Sequence, residues 1–296
     1  MEGMSAEWQS ISRLKTLNER QTMSKDAPDL GNVATQVRLD VLSMIKAAGS
    51  GHPGGSFSSV EILVELYWDV MRVRPEEPEW PERDRFVLSK GHACPALYAV
   101  LAARGYFESS ELLTLRKFGS RLQGHPNMRS LPGLDASTGS LGHGLSIACG
   151  IAHGLRLGRL DSRVYCLLGD GELQEGSVWE SAMSASHFGL DHLTAIVDRN
   201  LVQLDGRVTD VMEIEPLTEK WLSFGWDVVV CDGHSFPSLA KAFEHCSGSG
   251  LPSVIIADTI KGRGVSFMEG TFQWHGRCPD DDEYVRAVHE LKRGLS

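Results

Sequence analysis

The stretch from Arg163 to Asn200, RVYCLLGDGELQEGSVWESAMSASHFGLDHLTAIVDRN, decides the fold. Val164-Tyr165-Cys166-Leu167-Leu168 is a short apolar, β-prone run of the length of a buried strand. It stops at Gly169-Asp170-Gly171, where two glycines let the backbone bend sharply and approach a ligand closely. From about Ser177 the pattern is helical, and a second apolar run, Leu193-Thr194-Ala195-Ile196-Val197, ends at Asp198-Arg199-Asn200. This is a β-turn-α-β unit with a carboxylate after its first strand and an amide after its second. Open parallel sheets bind ligands at the carboxyl ends of their strands, so Asp170 and Asn200 are expected to converge on one site. Two oxygen donors beside a glycine suit Mg2+, a hard cation that completes its shell with phosphate oxygens and water.

The chain has 296 residues, 42% hydrophobic and 23% charged, which suits one large α/β domain. A net charge of −10 argues against a broad nucleic-acid-binding face. No apolar run reaches membrane-spanning length, and the N-terminus reads as no secretory signal. Six cysteines without a C-x-x-C pair argue against a zinc site or disulfide framework and fit a reducing cytoplasm.

Residues 1–29 read as a polar N-terminal arm and 30–296 as the domain. Val33, Val37, Val41, Leu42 and Ile45 recur at helical spacing over Leu30–Ala48. The following Gly49-Ser50-Gly51-His52-Pro53-Gly54 matches G-x-G-x-x-G, but a helix precedes it and Pro53 interrupts it. A dinucleotide site needs a preceding strand, so the segment is read as a glycine-rich loop presenting His52. Ser58-Ser59-Val60-Glu61 resembles a capping box opening a helix to about Val73. Phe86–Leu88 predicts a strand, a helix runs to about Arg104, another spans roughly 110–118, and an irregular region covers 119–144. Loops of that length inside a domain are commonly functional. Further strands at Asp227–Cys231 and Ser253–Ala257 alternate with helices, predicting a parallel sheet covered on both faces.

Of the eleven histidines, six adjoin a glycine outside the predicted helices: His52, His92, His125, His143, His234 and His275. His234 is explained as part of a helix entry. The other five lie in loops, where imidazole can donate or accept protons on hydroxyl and carbonyl groups near neutral pH. A transition-metal site is disfavoured, because no pair has H-x-x-x-H spacing.

SGHPGG, LSKGHAC, LQGHP, STGSLGHGL, GDGELQEG, IVDRN with LDG, and WHG occur in the order found in transketolases, and the resemblance covers about Leu30 to Pro279. It implies the thiamine diphosphate-binding fold and its cofactors, thiamine diphosphate and Mg2+ (or Ca2+ or Mn2+). By this resemblance Asp170, Asn200 and the backbone carbonyl of Val202 hold the metal. Gly171 and His92 contact the diphosphate, as do Asn200 and His275 the cofactor more generally, while Gly139 and Leu141 line its ring site. His52, His125 and His275 face the substrate. Glu175 and Glu180 resemble the family's buried carboxylates at the subunit interface, where they link paired sites; a solvated helix start, favoured by the macrodipole, is their plainer reading. The chain departs from the family at His143, where relatives commonly have Gln, and at Asn127, where an acidic residue often follows His-Pro.

Full-length transketolases continue with a pyrimidine-binding domain and a C-terminal domain, and the first of these supplies the glutamate that activates the cofactor. The resemblance therefore implies the N-terminal subunit of a split, cytoplasmic transketolase, completed by a C-terminal subunit in an α2β2 heterotetramer acting on sugar phosphates, with no nucleic-acid or membrane partner. The α-subunit of a 2-oxo acid dehydrogenase E1 and a non-catalytic module keeping the fold are the alternatives.

Overall fold

A computed structural model describes residues 28–295, so the expected arm lies almost wholly outside the described residues. Its centre is a five-stranded, wholly parallel sheet. The strands are β1 (Arg85–Leu88), β2 (Val164–Gly169), β3 (Leu193–Arg199), β4 (Asp227–Asp232) and β5 (Ser253–Asp258), in the order β1-β2-β3-β5-β4. The helices are α1 (Leu30–Ala48), α2 (Pro53–Phe57), α3 (Val60–Glu65), α4 (Cys94–Ala103), α5 (His143–Leu157), α6 (Gly176–His187), α7 (Val208–Val211), α8 (Leu217–Ser223), α9 (Phe236–Gly248) and α10 (Asp281–Lys292).

Alternation along the strands divides the core in two. Leu167, Ile196 and Ile255 pack against α1, α3, α4, α9 and α10. Cys166, Leu168, Ala195, Val197, Val254 and Ile256 face α5, α6 and α8. Burial of both faces explains why β2 and β3 read as unbroken apolar runs. β4 lies at the sheet's edge, and there Val230 is exposed. All strands point one way, so every carboxyl end opens on the same side, as the apolar runs and their polar ends anticipate.

α1 spans the expected residues because both ends are capped. The Asp29 carboxylate accepts the Gly31 and Asn32 N–H groups, and Gly49 closes the helix in the left-handed region. The next turn needs glycine at Gly51: its φ is 156°, and a Cβ there would stand 2.6 Å from Ile45 Cγ1.

Several boundaries differ from expectation. His52 precedes the short α2 rather than sitting in an open loop. The capping box expected at Ser58–Glu61 does not form: Ser59 makes no side-chain cap, and α3 ends at Glu65 in a π-helical turn over Leu66–Val70. The serine hydroxyls are drawn to Asp198 instead. A true capping box opens α10, where Asp280 and Glu283 exchange hydrogen bonds. The helix expected near 110–118 is only a 3-10 segment, Ser109–Thr114. The irregular region ends at Gly142, where α5 begins.

Candidate active site

Ser89-Lys90 follow β1, and Lys90 turns inward, leaving it only 2% exposed. Its ammonium pairs with the fully buried Asp198 at the end of β3 and also donates to Gly55 O (2.9 Å) and Ser59 Oγ (3.1 Å). Asp198 accepts further bonds from Ser58 Oγ (2.6 Å) and Thr259 Oγ1. Burial would raise its carboxyl, but the Lys90 charge and these donors hold it at about 2. One carboxylate thus ties together α2, α3, β1, β3 and the end of β5.

Asp170, at the end of β2, accepts Gly171 N–H at 2.7 Å and Leu201 N–H at 2.5 Å. The second bond ties the β2 turn to the residue after Asn200, whose Oδ1 accepts Val202 N–H at 3.1 Å. Asp170, Asn200 and Val202 are therefore brought together. Burial, reinforced by the charge on Asp198, pushes Asp170 up to about 6. Lys261, after β5, donates to Val202 O at 2.9 Å and to His275 Nδ1 at 3.0 Å. Its own burial and the charge of Lys90 bring it down to about 8.

Beside this group three imidazoles form a triangle, with centroid separations of 5.2 Å (His52–His92), 5.5 Å (His52–His275) and 5.1 Å (His92–His275). His52 is lowered to about 4 by burial and by the charge of Arg116, and His275 to about 3 by burial and by Lys261. Burial and Lys90 hold His92 well below the usual imidazole range. All three are neutral at pH 7. His125 is more exposed and is also lowered, by burial and Arg116; a Cβ on Gly139 would stand 3.3 Å from its ring.

The remaining expected residues surround this centre less closely. Gly171 contributes its N–H to Asp170 and packs near Gln203. Leu141 and His143 are exposed at the approach to α5, and Asn127 is exposed with its Oδ1 on Arg129 N–H. Glu175 and Glu180 are both exposed on α6, Glu175 at its N-cap. The buried carboxylate nearby is Glu172, which sequence reasoning passed over. It accepts Ser89 Oγ (2.5 Å), Gly142 N–H (2.9 Å) and Gly169 N–H (3.0 Å), pinning β1, β2 and the start of α5.

Sequence reasoning also missed Lys90, Lys261, Asp198 and Arg116. The signal for the lysines was their position, each two or three residues past an apolar strand and directly before a glycine. His234 does more than enter a helix. Its Nε2 accepts Ile260 N–H at 2.8 Å, so Nδ1 bears the proton and donates to Glu61 Oε2 at 2.9 Å. Among the described residues all six cysteines are free, and no helix is long and apolar enough to cross a membrane. A separate pocket of about 380 Å³, lined by Leu173, Trp179, Ile214 and Phe224 among others, holds none of the histidines.

The fold is shared with known proteins. Residues 31–294 match the family model described as transketolase, thiamine diphosphate binding domain. The chain is 44% identical over 272 residues to the 6-deoxy-6-sulfo-D-fructose transketolase subunit SqwG of Clostridium sp. (strain MSTE9), covering 92% of this chain and 99% of that protein. It is 41% identical to an apulose-4-phosphate transketolase subunit of Phocaeicola vulgatus, covering 87% and 92%. The crystal structure of Campylobacter jejuni transketolase superimposes with a TM-score of 0.85 at 32% identity, over 89% of this chain but 42% of that one. With the family model matched over residues 31–294 and a relative 44% identical along nearly its whole length, the chain belongs to the transketolase family, as a thiamine diphosphate-binding domain.

Proposed function

We propose that this chain is the N-terminal subunit of a two-chain transketolase, moving a two-carbon ketol unit from a ketose or ketose phosphate donor to an aldose acceptor. The observation that carries this reading is the triangle of neutral histidines set beside Asp170, Asn200 and Val202. Neutral imidazoles can hydrogen-bond sugar hydroxyls and carry protons without the repulsion a charged cluster would feel.

The donor set fits a divalent metal and a diphosphate. Asp170 is a buried carboxylate raised by burial and by Asp198, and a cation beside it would relieve both effects. Among the described residues no three His, Cys, Asp or Glu side chains cluster as a metal site. Asp170, Asn200 Oδ1 and the Val202 carbonyl, all oxygen donors, would hold Mg2+, Ca2+ or Mn2+, the shell being completed by the diphosphate. Thiamine diphosphate, when bound, supplies the carbanion chemistry, and the protein supplies orientation and protonation. His92 and Gly171 would contact its diphosphate, Gly139 and Leu141 its ring, and His52, His125 and His275 the sugar.

The reading includes a partner chain carrying the pyrimidine-binding and C-terminal domains, in an α2β2 assembly working in the cytoplasm. Two relatives matched along nearly their whole length bear the word subunit in their names, which supports a partner. Exposed Glu175 and Glu180, and exposed Leu204 and Met212 after β3, would lie at that interface. Mixing the purified chain with such a partner and following ketol transfer tests this, using 6-deoxy-6-sulfo-D-fructose, apulose 4-phosphate and common ketose phosphates as donors. Full transfer by the isolated chain would refute it.

A further inference from the structure

We infer that Arg116 is a positioning residue that locks His52 as the Nε2–H tautomer, so that His52 meets substrate oxygens as a hydrogen-bond donor. Arg116 Nη2 lies 3.4 Å from His52 Nδ1. A guanidinium has five N–H donors and no acceptor, so the contact is a hydrogen bond only if Nδ1 carries its lone pair. In a neutral ring the proton then resides on Nε2. That edge faces away from Arg116, toward Gly276, where a Cβ would stand 3.5 Å from Nε2, and toward the rings of His92 and His275.

The surrounding structure goes to some length to place this guanidinium. Arg116 has a φ of 59°, a left-handed conformation unfavourable for a residue with a side chain. Gly124 leaves it room, since a Cβ there would stand 3.0 Å from Arg116 Nε. Nη1 reaches Ser50 Oγ at 3.3 Å, while the buried Nε has no acceptor. An orphaned donor and a strained backbone at one residue mark a position retained for something other than stability. The opposite corner of the triangle is built alike: the Lys261 ammonium, which can only donate, reaches His275 Nδ1 as well as Val202 O and leaves the His275 Nε2 protonated. Two cations behind two rings therefore turn both Nε2–H groups into donors, a wall suited to carbonyl and hydroxyl oxygens and to negative charge developing on them.

The substrate part of this inference rests on the proposed ketol transfer; the tautomer does not. Long-range proton–nitrogen correlation spectra of the full chain with 15N-labelled histidine, assigned through His52→Asn, read the ring directly. At pH 7 we expect a pyrrole-like Nε2 and pyridine-like Nδ1 for His52, unchanged in Arg116→Lys and mixed in Arg116→Met. A pyrrole-like Nδ1 in the wild type overturns the inference. In the complex with its partner, Arg116→Met should lower kcat/KM about three- to tenfold, the size of one neutral hydrogen bond, with Arg116→Lys largely restoring it. A tautomer shift with unchanged kinetics overturns the donor role. If Arg116→Met fails to fold, the wild-type spectrum and Arg116→Lys still decide. A wild-type complex showing the expected tautomer but no ketol transfer sinks the proposed function and leaves the tautomer assignment standing.

Discussion

Lys90 and Asp198, 108 residues apart in sequence, form an ion pair with no measurable solvent access to the carboxylate at the carboxyl ends of β1 and β3. Removing one partner from such a pair leaves an uncompensated buried charge. We expect Lys90→Met to cost about 3–5 kcal/mol and the double change with Asp198→Leu to cost less than the single one. Urea titrations of the four proteins in the cycle measure this; equal losses in the single and double variants would contradict it.

Glu61 is expected to shape the acid limb of the stability curve. Burial would raise its carboxyl, but the charge of Arg38 and hydrogen bonds from His234 and Arg38 hold it at about 2. Its folded value is below the ordinary 4.5, so its contribution is complete above 4.5 and is lost as pH falls from there toward 2. Glu61→Gln should destabilise the chain at pH 7 and flatten the loss of stability between pH 4.5 and 2, as followed by denaturant midpoints across that range.

Asp170 contributes to folding in the opposite sense, and cofactor loading should be proton-linked through it. Asp170 is raised to about 6, so its ionised form opposes folding as pH rises from 3.8 through 6, and a bound cation offsets that cost above 6. Calorimetry should show Mg2+-dependent thiamine diphosphate binding weakening by up to about tenfold per pH unit as pH falls below about 6. Asp170→Asn should weaken it at least about tenfold at pH 7. Binding indifferent to both changes would remove Asp170 from the metal site.

Glu172 should matter to the shape of the site without touching a ligand. In Glu172→Gln one acceptor oxygen becomes an amide donor facing an existing N–H or hydroxyl, an arrangement worth about 1–3 kcal/mol. Amide exchange at Gly142 and Gly169, whose N–H groups now point at Glu172, should speed up more than exchange in β5. A uniform change across the sheet would show that the carboxylate has no local role.

Most of the framework was legible because burial on both sides of a parallel sheet leaves a plain trace. β2 and β3 announced themselves as apolar runs, and their polar ends pointed to one site. β3, however, continues through Asp198 and Arg199, and Asp198 looks like a turn residue until Lys90 is seen to neutralise it. Lys90 and Lys261 were hidden for the same reason: an isolated lysine in a sequence reads as solvated, and its buried partner lies far along the chain. Ser58 and Ser59 misled because a hydroxyl before a helix favours a cap locally, whereas Asp198 offers a charged acceptor. The placement of Glu175, Glu180 and the histidines in order followed from motif resemblance, but the triangular arrangement of His52, His92 and His275 needed the folded chain.

Since all five strands run in the same direction, the molecule has a working end and an idle end. Turns feeding the strands from behind, such as Asp161 before β2, Asp191 before β3 and Leu251 before β5, are exposed at the amino ends of the strands, opposite the carboxyl ends where Lys90, Asp170 and Asp198 lie. Fluorophores, affinity handles or inserted reporter domains belong there, where they can follow assembly and ligand loading without obstructing either.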